Sequence, residues 1–174
     1  MYDMLGRGQN FEHLLALLIL LARGGDIGST YLASPKLRLE TNPFIRRFRW
    51  PVALLSLVLC FLPYYNTALA VMVLAPSLLV SGSNLSRGWV AHAVGEEELL
   101  AFLRAAARRI SLAKALGFAG GGGAFIALAG GVLLLLSGGE RDWAFWFASG
   151  VIVYGIAIGV YGSLFLLRLR RESA

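Results

Sequence analysis

The chain has 174 residues, 57% of them hydrophobic and only 15% charged, with a formal net charge of +6. Soluble domains run near a quarter charged, so composition excludes an ordinary water-exposed globule and makes lipid part of the solvent. The basic residues lie beside apolar runs and not in a stripe interleaved with exposed aromatics, which argues against a nucleic-acid partner and for anionic lipid headgroups.

The first apolar run, Leu14 to Ala22, is about 14 Å long as a helix, against roughly 30 Å of hydrocarbon. Asp3 and Glu12 precede it, Arg23 follows at once, and no small-x-small cleavage site is present, so it reads as a retained segment. To cross a membrane it must extend over about 11–33 and carry Arg23, Asp26, Ser29 and Thr30 with it, with a bend or a short unwound stretch expected at Gly24-Gly25. Pro35 closes this span, and a basic loop runs to Arg49. From Trp50 to Ser81 the chain is almost wholly apolar, about 48 Å as one helix, which is too long for a bilayer. Pro63-Tyr64-Tyr65-Asn66 divides it into short spans over 50–63 and 67–86, either two thin crossings or a re-entrant hairpin.

Over 96–110, Leu99, Leu103, Ala106 and Ile110 form one helical stripe and Arg104 and Arg108 another, the pattern of an interfacial helix. Glu96, Glu97 and Glu98 stand at the positive end of its dipole. Further spans over 112–136 and 143–167 complete an all-α integral membrane protein of about five transmembrane helices in a single domain, 1–174. Threaded this way, every Lys and Arg except Arg7, Arg23 and Arg141 falls on one side, because basic loops resist translocation. That places the chain in the cell's inner membrane with its N-terminus outside and its C-terminus cytoplasmic. Trp143 and Tyr64-Tyr65 then fall at the outer boundary and Trp50 and Trp89 at the inner one, as interfacial belts require.

Arg23, Asp26 and Thr30 follow at i, i+3 and i+7, so they share a helical face, with Ser29 beside it. Charges at membrane depth persist where they pair or line a cavity. This stripe is therefore either an Arg23–Asp26 lock between helices or a binding site. The segment Asp26-Ile-Gly-Ser29-Thr30, followed by Glu40-Thr-Asn42-Pro43, resembles an uncharacterised family of small prokaryotic membrane proteins, whose first span ends in Asp-x-x-Ser/Thr-Thr before a Glu-x-Asn-Pro. The resemblance implies that Asp26, Thr30, Glu40, Asn42 and Pro43 act as one unit.

Asp26, Glu40, Asn42 and the two hydroxyls are hard oxygen donors suited to a metal cation, with Asp26 and Glu40 as the charged ligands; no other cofactor is expected. Arg23 beside the carboxylate suits an anionic headgroup or phosphate instead. Asn84 and His92, at the far end of the third span, complete either site. A Ser29/His92/Asp26 hydrolase lacks a nucleophile elbow, and His13 and His92 fall at opposite boundaries, too far apart to share a haem.

Small residues recur every fourth position at Gly123, Ala127 and Gly131, and again at Gly155 and Gly159, the spacing of close helix packing. The functional expectation is a protein that binds or transports an ion or a small anionic or lipid ligand in a polar cytoplasmic-side pocket. Such a transporter would stand alone as a monomer or homo-oligomer; the alternatives are a non-catalytic accessory or assembly subunit of a larger membrane complex, and then an intramembrane lipid-modifying enzyme.

Overall fold

A computed structural model describes residues 9–140 and 142–172. Arg7 and Arg141, two of the exceptions to the basic-side count, lie outside the described residues. The described chain is all helical: α1 (Gln9–Ala33), α2 (Pro43–Phe48), α3 (Trp50–Leu55) continuing as a 3-10 segment (Ser56–Tyr64), α4 (Thr67–Val94), α5 (Glu96–Arg109), α6 (Leu112–Leu136) and α7 (Trp143–Arg171). Four of these, α1, α4, α6 and α7, are long and apolar enough to cross a membrane.

Local chemistry sets most boundaries. Asn42 caps α2, accepting from the Phe44 N–H at 2.9 Å, and Pro43 follows at the first helical position, where its missing N–H costs nothing. Asn66 caps α4 through the Leu69 N–H, Ser111 caps α6 through Lys114, and Asp142 caps α7 through Ala144. Gly95 and Gly139, both at positive φ, make the turns after α4 and after α6.

The expected division of 50–81 is present, and its first leg has a physical device. Fifteen residues of α-helix would cover about 22 Å. With Ser56–Tyr64 wound as a 3-10 helix, at about 2.0 Å per residue, Trp50–Tyr64 reaches about 27 Å, close to a hydrocarbon thickness.

The unwound stretch expected as one alternative at Gly24-Gly25 does not occur: α1 is helical through both. Gly25 instead leaves room for Ser81, whose hydroxyl donates to the Ala22 carbonyl at 2.5 Å. The third expected span also runs on to Val94, eight residues past its predicted end at 86, because nothing before Gly95 interrupts the helix.

Helices α1 and α4 lie side by side and parallel, with Ala22 beside Ser81, Asp26 beside Asn84 and Ala33 beside Gly88. Leu15, Ile19 and Ala22 meet Ala70, Val71 and Leu74 in the main core, roofed by Leu59, Leu62, Trp146 and Phe147. Helix α7 backs onto α4, and α6 pairs antiparallel with α7 across the short Ser137–Asp142 turn.

That last seam is backbone against backbone. A methyl group at Gly123 would lie 2.5 Å from the Gly155 carbonyl oxygen, and one at Gly155 would lie 2.5 Å from the Ala127 nitrogen. Gly159 adjoins Gly123 at ordinary contact distance. Gly131 is not part of the seam, having nothing within 4 Å; the adjacent Gly130 packs there against Ile152 and Ala148. A strict four-residue count drifts off the contact line of a 3.6-residue helix, which is why the register slips by one.

Helix α5 packs on the end of α7, burying Leu100 and Ala107 against Leu169 with Leu103 alongside. Its inward row is thus Leu100–Leu103–Ala107, and Ile110 from the expected stripe is exposed.

Candidate functional site

The basic residues gather at one end of the helices, and two neighbouring polar arrangements form there. The first lies between α1 and α4. Asn84 donates from one amide nitrogen to the Asp26 carboxylate at 2.9 Å and to the Thr30 hydroxyl at 3.1 Å, joining the two helices through a single side chain. Arg23 approaches Asp26 at 3.6 Å, with side-chain exposures of 21% and 15%, so the pair is largely withdrawn from water. The Arg23 Nε is buried and has no hydrogen-bond partner among the described residues. From α7, Tyr154 brings its hydroxyl to the same region, near Ser83, Arg87 and Asp26.

Glu40 closes this arrangement from the loop. Its carboxylate accepts the Asn42 N–H at 2.7 Å and is close enough to Asp26 to feel its charge. Burial pushes the Glu40 carboxyl above its ordinary range; the Asn42 and Thr41 N–H groups oppose this, Asp26 adds to it, and Arg46 offsets it weakly.

The sequence-predicted site is therefore assembled in part. Arg23, Asp26, Thr30 and Asn84 converge, while the Glu40 carboxylate is bound within its own loop, to the Asn42 N–H. Ser29 does not join them: it is buried and its hydroxyl turns back to the Asp26 main-chain carbonyl at 3.0 Å. Asn42 is occupied as the cap of α2. His92 is exposed, roughly 12 Å beyond Asn84 along the same helix, so neither the ligand role nor the Ser29/His92/Asp26 triad forms. Among the described residues no group of three or more His, Cys, Asp or Glu side chains could hold a metal ion. His13 bonds the Tyr64 hydroxyl at 2.8 Å at the opposite end.

The second arrangement was not anticipated. Glu96, at the first turn of α5, receives the 34–38 loop: the Ser34 hydroxyl, the Lys36 N–H at 3.1 Å and the Arg38 N–H at 2.6 Å all donate to its carboxylate. Glu97 pairs with Lys36 at 3.3 Å and with Arg38. Burial alone would raise the Glu96 carboxyl, but those three hydrogen bonds and the Arg38 charge hold it below its usual range. The signal in the sequence was two oppositely charged clusters, Lys36/Arg38 and Glu96/Glu97, although nothing local put them together. Arg168 completes the tie by donating to the Arg38 carbonyl at 2.6 Å.

No protein-family model, curated protein or solved structure matches this chain.

Proposed function

We propose that this is a multi-pass protein of the inner membrane with the basic end of its helices at the cytoplasmic face, and that Asp26 and Glu40 jointly hold one small positive charge, a proton or an alkali cation. The observation that carries the reading is the Asp26 carboxylate, largely withdrawn from water between α1 and α4 and held there by Arg23 and Asn84, with Glu40 a second part-buried carboxyl on the following loop. Two carboxyls away from water do not both stay ionised without positive partners. Arg23 offsets one of them at 3.6 Å; a proton or cation offsets the other. The Asn84 amide, itself bonded to the Thr30 hydroxyl, steadies the Asp26 side. A charged site near one end of packed, membrane-length helices is the arrangement from which ion transport is built, and transport is the use this reading gives it.

The test is thermal unfolding of the full chain in zwitterionic nanodiscs, titrated with Li⁺, Na⁺ or K⁺ against choline at constant ionic strength and repeated across pH. Stability should rise with one of these ions, or with protons, by the mass-action term RT ln(1 + [L]/Kd). Asp26→Asn and Glu40→Gln should each abolish that rise. An unselective response, or the same rise in both variants, overturns the reading.

One feature favours an accessory subunit of a larger complex instead: α6 leaves Phe118, Phe125 and Leu135 at 78%, 76% and 86% exposure, a broad apolar face open to another helix. Stoichiometric co-purification in mild detergent would support that alternative.

A further inference from the structure

Where the 34–42 loop, α2, α5 and the end of α7 meet, the protein forms an open pocket of about 390 Å³. Lys36 and Arg38 reach it from the loop, Arg46 and Arg49 from α2 and its C-terminal residue, Arg104 from α5 and Arg168 from α7. One carboxylate, Glu172, lies on its wall, and Arg104 and Arg168 share it. Lys36 and Arg38 share a second, Glu97, which is not part of the lining. Arg46 and Arg49 form no ion pair among the described residues. Six cations thus line the pocket beside one lining carboxylate, Glu172, with Glu97 and Glu96 behind Lys36 and Arg38 and Glu40 near Arg46.

Donor geometry matches the charge count. The buried Nε–H of Arg104 has no hydrogen-bond partner among the described residues, and the Nε of Arg168 has only the Glu172 carboxylate, at 3.5 Å. Several guanidinium forks converging on one space are satisfied together by a tetrahedral oxyanion, which presents acceptors on every side. Backbone conformation adds an independent sign. Among the described residues Leu37 and Arg49 are the non-glycine residues at left-handed φ, 57° and 60°, and both line this cavity. Such conformations persist where the surroundings hold them for a purpose.

We infer that this cavity binds a phosphate-class oxyanion, supplied either by an anionic lipid headgroup or by a free phosphate or its ester. The anion bridges the loop, α2, α5 and α7, whose cations otherwise repel one another. The site is separate from the Asp26–Glu40 pair and takes the opposite charge. Its free-phosphate arm holds whether or not the membrane reading does.

The experiment uses the full chain in phosphatidylcholine nanodiscs, with thermal unfolding followed during titration of inorganic phosphate against chloride at constant ionic strength. A second series replaces part of the phosphatidylcholine by phosphatidic acid or phosphatidylglycerol, with retained lipid identified by native mass spectrometry. The paired variant Arg46→Gln/Arg49→Gln removes two charges that form no ion pair among the described residues, so the fold should survive. Arg108→Gln/Arg109→Gln removes the same charge from exposed positions on α5 outside the cavity.

Saturable stabilisation weakened at least about tenfold in the Arg46/Arg49 variant, and unchanged in the Arg108/Arg109 variant, is the expected result. A response confined to inorganic phosphate identifies a free anion as the source; one confined to anionic lipid identifies the headgroup. Absence of saturation in both series, or equal loss in the two variants, overturns the site.

Discussion

Alanine at Gly150 tests how the helices are held. Gly150 of α7 faces α4, and a methyl group there would lie 2.2 Å from the Met72 carbonyl oxygen and 3.0 Å from the Ala75 methyl. Non-bonded heavy atoms settle at roughly 3.5 Å, so α7 must retreat from α4 by on the order of 1 Å. A gap of that size forfeits a quarter to a half of each dispersion contact along the seam. Overpacked cores lose about 1–3 kcal/mol, and a methyl group driven against main chain belongs at the upper end, so Gly150→Ala should cost about 3 kcal/mol.

Gly131→Ala is the matched opposite: nothing lies within 4 Å of its added methyl. Alanine is the better helix former by up to about 1 kcal/mol, so that variant should be neutral or more stable. Heat or SDS unfolding of both variants beside wild type, in one detergent, reads the difference. Equal stabilities, or a larger loss at Gly131, would refute the packing that places α7 on α4.

Glu96→Ala should cost about 2 kcal/mol by stranding two N–H groups and the Ser34 hydroxyl, while Glu96→Gln, which keeps an acceptor, should cost about half as much. Because the Glu96 pKa is lowered from its ordinary 4.5, its stabilisation is complete above that value and lost as pH falls through the folded pKa; an acid unfolding scan of Glu96→Ala should be flatter there. Glu40 works in the opposite sense: its pKa is raised, so its ionisation erodes stability as pH climbs from 4.5 through the folded value, and Glu40→Gln should remove that erosion. Reporter fusions after Asn10, Gly95, Glu140 and Ala174 should read outside, cytoplasmic, outside and cytoplasmic; a cytoplasmic signal after Glu140 would undo the threading.

Much of the architecture was legible along the chain because the signals are local. Apolar length, Pro35 and the Pro63–Asn66 interruption are read within a few residues of where they act, and they located every long helix. The polar stripe Arg23/Asp26/Thr30 needed only the helical period.

What the chain alone could not decide were matters of partner and rotation. Whether Ser29 turns to a cavity or to its own backbone, whether Asn42 serves a ligand or a helix end, and whether Gly130 or Gly131 meets α7 depend on a fraction of a helical turn. Composition does not resolve that fraction. Glu96 and the basic cavity were invisible for a second reason: their members are drawn from segments up to about 130 residues apart, and only the packing of α5 and α7 against the loop sets them side by side.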